Sequence, residues 1–358
     1  MDSPIKVSIV AVAEVEPWIV VGVHDAFWAV GTLWNRVMGE SENPRFLPEI
    51  VAAAPGPLKT GTGVRIEPHR TIDDDVRTDI VFVSSLLISS GAQFGRDNPG
   101  VVDWVRRCHR QGALVVSSCT GSFLLAEAGL LDDREATTHW AFAEMMKSEY
   151  PRIRVLGDRI LVSAGDDHRI VTAGGATSWT DLVLYIVGRF AGAEEARRLA
   201  KMSLFDWHHN GQKPYSRLTT RLQLSDKLVR ECQEWLASHY AHADPVAAVI
   251  RQSGLTRRTF NRRFKLATGH SPLDYVQRVR IEEAKQILET TDQPVDAIGV
   301  EVGYGDIVSF RRLFKRLVHD TPAAYRRRQR VPDEVRNLGM NAPVPSARRP
   351  SFQTKPVA

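Results

Sequence analysis

The stretch PVAAVIRQSGLTRRTFNRRFKLATGHSP (245–272) recurs, diverged, as PVDAIGVEVGYGDIVSFRRLFKRLVHDTP (294–322). The two copies are offset by 49 from Pro245/Pro294 through Gly254/Gly303, and by 50 from Phe260/Phe310 through Arg262/Arg312, Phe264/Phe314 and Pro272/Pro322. A duplication on this scale means one supersecondary unit built twice. Each copy reads as an amphipathic helix ending near a glycine, a short turn, and a second helix. In that second helix phenylalanines four apart face inward while Arg and Lys face out. Between the copies, DYVQRVRIEEAKQILE (274–289) has the length and pattern of a helix that spaces the two units.

This is the layout of two helix-turn-helix units, whose second helices enter the DNA major groove about one turn apart. Charge agrees with it. Residues 214–330 hold 21 Lys and Arg against 13 Asp and Glu, near +8, whereas residues 1–213 hold 22 against 27, near −5. A basic module is joined to one that is not. On the two outward helix faces the repeat places Arg258, Asn261 and Arg262, then Asp306, Ile307, Ser309, Arg311 and Arg312. Arg reads guanine bidentately, Asn reads adenine and Ile meets a thymine methyl, each good bidentate pair discriminating by about 1–3 kcal/mol. Arg263, Lys265, Lys315 and Arg316 are expected at phosphates, which set register without reading sequence. The alternative is a set of solvated faces on a helical bundle.

The first half differs in kind. Short apolar runs, KVSIVAVA (6–13), TDIVFVSS (78–85), ALVVSSC (113–119), RILVSA (159–164) and RIVTAG (169–174), alternate with helical patterns. The helical stretches are Asp25 to Met38, PGVVDWVRRCHR (99–110), Gly121 to Ala128 and TSWTDLVLYIVGRF (177–190). Near-continuous Val/Ile runs between helices predict an α/β unit with a parallel sheet covered on both faces, followed by an all-α unit. From Glu194 the β signals stop. A last helix and a Gly/Pro/Asn-containing linker at Asn210 to Pro214 are expected before the helical part, and the Pro-rich segment 331–358 is expected to be a disordered tail. The expected division is 1–195, a helix and linker over 196–217, 218–330, and the tail.

With 358 residues, 43% hydrophobic and 25% charged, the chain has room for two ordinary globular cores. No apolar run approaches the roughly 20 residues of a membrane span, and the start lacks the pattern of a secretory signal, so a cytoplasmic protein is expected. Cys108, Cys119 and Cys232 show neither a disulfide framework nor metal-ligand spacing; no metal or cofactor is expected. His208-His209 lacks further ligands at useful spacing.

The chemistry concentrates in SSCTGSFLLAEAGLLDDREATTHW (117–140). Cys119 ends a buried strand directly before a helix, the arrangement of a nucleophile elbow, and a helix N-terminus favours thiolate. His139 is the potential base of a Cys119–His139 pair. Strand C-terminal ends in open α/β sheets also bind ligands without chemistry. The expected role is a pocket lined by Cys119, Thr120, Gly121, Thr138, His139 and Trp140. A Cys119-dependent hydrolase or aldehyde-processing activity and a purely structural role are the alternatives. AGGATS (173–178) before a helix suits an anion or tight packing equally well.

RVRIEEAKQILETTDQPVDAIGVEVGY (278–304), with SFRRLFKR and TPAAYRRR, resembles the AraC/XylS-type DNA-binding domain over about 218–330. CTGSFLLAEAGLLDDREATTHW (119–140) resembles the DJ-1/PfpI superfamily, also called class I glutamine amidotransferase-like, in its sensory form. In this order the two resemble GlxA-type transcriptional regulators. The resemblance implies a flavodoxin-like fold, double-stranded DNA as partner, and a small effector such as an amine, an amino acid or a related metabolite. It also implies that His139 lies beside Cys119 and that Glu14 or Glu16 supplies a pocket carboxylate. A homodimer is expected because DNA half-sites commonly mirror protein symmetry, with RNA polymerase a further candidate partner. There are two departures from the family pattern: His319 stands where a glycine is usual before the final TP, and the loop AEVEPWIVVGVHD (13–25) is unlike the common form.

Overall fold

In the computed structural model, which describes residues 3–165, 168–217 and 226–330, the Val/Ile runs of the first half form one seven-stranded sheet. Its strands are β1 (Ile5–Ala11), β2 (Phe46–Ala52), β3 (Arg70–Thr71), β4 (Ile80–Val83), β5 (Leu114–Ser118), β6 (Leu161–Ala164) and β7 (Ile170–Ala173). They lie in the order β6-β7-β5-β4-β1-β2-β3, and every neighbour is parallel except the edge pair β6–β7. The chain builds outward from β1 on one side, then jumps back to place β4 on the other. The carboxyl ends of the strands at such a switch point are where open α/β sheets accept ligands.

The helices are α1 (Pro17–Ala29), α2 (Leu33–Met38), α3 (Gly91–Asp97), α4 (Pro99–Arg110), α5 (Ser122–Glu127), α6 (Ala143–Glu149), α7 (Ser178–Phe190) and α8 (Ala193–Ser203). The helices α1 and α8 both pack on α7, and α3, α4 and α5 pack on one another. All four side chains of β4 are fully buried, which explains the unbroken IVFV; each such side chain stabilises the fold by about 1.5–3 kcal/mol. The expected helix from Asp25 to Met38 is two helices, and the first starts eight residues earlier, with Pro17 at its first position. The strand β2 went unforeseen because Pro48 and the half-exposed Leu47 interrupt its apolar run.

The second compact unit begins at Arg217 and is helical: α9 (Lys227–His239), α10 (Pro245–Ser253), α11 (Arg257–Thr268), α12 (Pro272–Thr290), α13 (Val295–Glu301), α14 (Ile307–Val318) and α15 (Pro322–Gln329). The duplication becomes two small cores. Phe260 and Phe264 pack with Val249, Tyr275 and Val279 in one; Phe310 and Phe314 pack with Ile298, Ile281 and Leu288 in the other. The helix α12 serves both, its first half facing one core and its second half the other. Thr256 and Asp306 cap α11 and α14, each accepting main-chain N–H bonds in the first turn. At the other end, Gly269 closes α11 in the left-handed conformation (φ 76°), and His319 takes the same conformation (φ 61°) at the end of α14. The expected tail, 331–358, lies outside the described residues.

Candidate functional site

Three loops meet at the switch point: the one after β1 carrying Glu14 and Glu16, the one after β4 carrying Ser84 and Ser85, and the turn after β5 carrying Cys119. They are stitched together by main-chain bonds, Glu16 N–H to Ser85 O (3.1 Å) and Leu87 N–H to Glu14 O (2.7 Å). The Thr120 hydroxyl donates to Leu86 O (2.6 Å) and accepts from Leu86 N–H (2.8 Å). Gly121 is required by space. A Cβ there would sit 2.4 Å from Ser84 O and 2.7 Å from Val83 O, so the turn after β5 can only close down on the end of β4 without a side chain.

Cys119 occupies a left-handed conformation (φ 56°), rare for a residue with a side chain. The turn that holds it there is anchored on all sides. Cys119 N–H donates to Gly174 O (2.8 Å), and Cys119 O accepts from the Ser122 and Thr138 hydroxyls (3.0 Å each). The elbow anticipated from the sequence is thus present in the backbone. Its electrostatics run opposite to expectation: burial pushes the Cys119 thiol up, against the hydroxyls of Ser85 and Thr120 and the Thr120 N–H, which favour thiolate. Withdrawal of the sulfur from water is the largest of these influences.

His139 is half-buried, and burial holds its pKa below the ordinary imidazole value, so it is neutral at pH 7. Its Nδ1 accepts from Ala141 N–H (3.1 Å), which leaves the proton on Nε2. The ring lies beside Trp140 and Phe142, with centroids 5.3 and 5.9 Å away, and edges onto Gly175. Among the described residues Cys119 and His139 form no hydrogen bond with each other. They share one neighbour in charge: the Glu16 carboxylate acts on both, raising each pKa against or with burial. Glu14 Oε1 accepts from Asn98 Nδ2 (3.3 Å), while its Oε2 is buried with no hydrogen-bond partner among the described residues. Of the expected lining residues, Cys119, Thr120, Gly121 and Thr138 are buried, and His139 and Trp140 are half-buried.

The segment Asn210 to Pro214, expected as a linker, is packed into this site. Gln212 is 2% exposed. Its Oε1 accepts from Trp140 N–H (3.1 Å) and Gly175 N–H (2.8 Å), while Nε2 faces Thr138 O (2.8 Å), Arg159 O (3.0 Å) and Gly157 O (3.1 Å). Gly174 and Gly175, set aside for an anion or for tight packing, make room for this amide: a Cβ on Gly174 would meet it at 2.4 Å. His208 N–H and Nδ1 bond both oxygens of the buried Asp181 carboxylate (2.9 and 2.6 Å). No group of three metal-ligating side chains is found among the described residues.

On the second unit, Arg258, Asn261, Arg262 and Lys265 on α11, and Ser309, Arg311, Arg312, Lys315 and Arg316 on α14, are exposed. Arg263 is engaged by Asp226 through two bonds of 2.8 and 2.9 Å, and Arg311 by Asp296 (2.5 Å). The Asp306 carboxylate, placed on the outward face by sequence, is committed to the cap, accepting from Val308 N–H, Ser309 N–H and the Ser309 hydroxyl. Ile307 is half-buried with its Cδ1 against Gly299, whereas Val308 is 62% exposed. The 50-residue offset already aligned Val308 with Arg258, and that was the signal for the outward position.

Residues 39–189 match the DJ-1/PfpI family and residues 249–328 match the helix-turn-helix domain. The chain is 25% identical to the HTH-type transcriptional regulator CdhR of Pseudomonas aeruginosa, over 76% of this chain and 80% of that protein. It is 27% identical to the HTH-type transcriptional regulator GlxA of Rhizobium meliloti, over 63% and 68%. Its first unit is also similar to the isonitrile hydratase of Pseudomonas putida, at 30% identity over 39% of this chain and 58% of that enzyme. The AraC-type duplication, the flavodoxin-like sheet with its elbow, and these matches agree: the chain is an AraC-family helix-turn-helix transcriptional regulator with an N-terminal DJ-1/PfpI domain.

Proposed function

We propose that this regulator binds DNA as a homodimer through α11 and α14, and that a small nitrogenous metabolite at the site of Cys119, His139 and Glu16 controls that binding. The observation that carries the effector reading is the meeting of charge and rings at the strand ends. Three loops at a topological switch point bring one carboxylate to bear on a buried thiol and a neutral imidazole, with the rings of His139 and Trp140 at the mouth. A carboxylate beside aromatic rings suits an amine or an amino acid, by charge and by cation–π contact. On the DNA side, Arg258, Asn261 and Arg262, then Ser309, Arg312 and Val308, are the base-facing set, and Arg263, Lys265, Lys315 and Arg316 the phosphate set. Asp306 and Ile307 support the second helix from within, and Arg311 swings between Asp296 and DNA.

Cysteine chemistry is the second reading, favoured by the left-handed Cys119 turn and by the likeness to an isonitrile hydratase. The raised thiol pKa and the missing Cys119–His139 hydrogen bond weigh against it. A thermal-shift screen of amines, amino acids and carboxylates against the full chain tests the proposal. A ligand at 100 times its Kd stabilises the folded state by about 2.7 kcal/mol. The same ligand must change DNA affinity, since an effector acts only through unequal binding to two states. If no compound does both, or if Cys119→Ser abolishes a turnover instead, the sensor reading falls.

A further inference from the structure

The connection between the two units begins inside the first one. The helix α8 ends at Ser203 and the second unit starts at Arg217, and the residues between are fastened at three points. His208 is held on Asp181, Lys213 pairs with Asp158 (3.4 Å), and the Gln212 amide fills the slot between residues 137–140 and residues 174–175. The slot is shaped for a carboxamide: two main-chain N–H groups point at the oxygen, and three main-chain carbonyls surround the nitrogen. The same two walls carry the site. Trp140 follows His139, the Gly174 carbonyl receives Cys119 N–H, and Gly175 touches the His139 ring.

We infer that Gln212 is a latch: its carboxamide ties the connector leading to the DNA-binding unit to both walls of the Cys119–His139 site, so that a shift of either wall releases or holds the connector. Release would lengthen the covalent tether between α8 and the second unit by the residues 204–216, which changes the range over which a DNA-binding unit is presented. The regulatory role rests on the effector reading above, whereas the latch itself is tested without any effector.

The test uses the full ligand-free chain with Gln212→Glu and Gln212→Ala. The first is nearly isosteric but turns an oxygen toward three carbonyl oxygens; the second empties the slot. Amide hydrogen exchange by mass spectrometry is read on peptides covering 208–216, 140 and 175, and DNA affinity is measured on a fragment selected in vitro with the wild-type chain. The latch predicts at least tenfold faster exchange in those peptides, unchanged exchange in β4 and β5, and at least a fivefold change in affinity. Wild-type exchange in Gln212→Glu overturns it, because a space-filling role tolerates the isostere. Faster exchange with unaltered affinity also overturns it, leaving a structural plug. Loss of protection throughout residues 3–216 in both variants makes Gln212 a core element and sinks the proposal as well. A failed effector screen would leave the exchange result standing, so the two readings fail separately.

Discussion

Replacing Arg280 by Met should loosen the second unit at the seam between its two halves. Arg280 lies at the middle of α12, where the helix passes from one core to the other. Its guanidinium donates to three main-chain carbonyls: Tyr240 O (2.7 Å) and His242 O (2.7 Å) after α9, and Gly303 O (2.9 Å) in the turn of the second helix-turn-helix. It also covers the Tyr304 ring at 5.2 Å. One hydrogen bond to a charged group is worth about 1.5–3 kcal/mol. Summing three overstates the loss, because the side chain is half-exposed and water can reach the His242 carbonyl, so about 2–3 kcal/mol is the expected cost. Met keeps the aliphatic stem, which isolates the polar contribution. At 1.4 kcal/mol per tenfold, protection against amide exchange at His242, Gly303 and Tyr304 should fall roughly 30- to 150-fold. Arg280→Lys should recover little, since one ammonium cannot span three carbonyls as a planar fork does. A change below about threefold at these amides, or an equal loss in the first unit, would refute the clamp.

Gly121→Ala should destabilise the first unit by about 2–3 kcal/mol, read as a lowered urea midpoint, because the added Cβ meets two carbonyls of the strand end below 3 Å and backbone cannot yield as a side chain does. His319→Gly should stabilise the second unit by about 1 kcal/mol in thermal melts, since a residue with a Cβ holds a left-handed conformation there that Gly269 occupies freely in the first copy. The His139 imidazole has its pKa lowered by burial, so its contribution is complete above its ordinary 6.5 and is lost as pH falls through the lower folded value; His139→Gln should flatten that acid-side slope. Cys232 behaves in the opposite sense. Burial pushes its thiol up to about 11, so stability is complete below about 9 and falls as pH rises through 11, and Cys232→Ala should remove that part of the alkaline loss.

The second unit was largely legible because its determinants are local. Phenylalanines four apart, a capping residue directly before the first helical turn, and a left-handed residue at the end all lie within one helix length, and the duplication let one copy check the other. The errors there came from helical phase: treating Ile307 as outward ignored that Asp306 is the cap, which turns Ile307 toward α13 and Val308 to solvent. The parallel sheet was legible for a related reason, since a strand buried on both faces leaves an unbroken apolar run. The strand β2 escaped because its proline and an exposed leucine break that run.

The site resisted for a different physical reason. Cys119 could be placed at an elbow from six neighbouring residues, but its protonation depends on groups that approach from other strands, Ser85 at 34 positions away and Glu16 at 103. Local reasoning supplied the helix terminus and omitted the desolvation, which acts in the opposite direction. Gln212 is the sharper case. Its partners lie 37 to 75 residues upstream, and its own neighbourhood, HNGQKP, has the composition of a linker because two turns are needed to bring the chain back over the sheet. Turn-forming residues mark where a chain changes direction, and they do not report whether the bend faces solvent or a crevice. A buried amide with both ends satisfied is what distinguishes the two, and that information resides in the walls, Thr137 to Trp140 and Gly174 to Gly175, rather than in the segment that fills them.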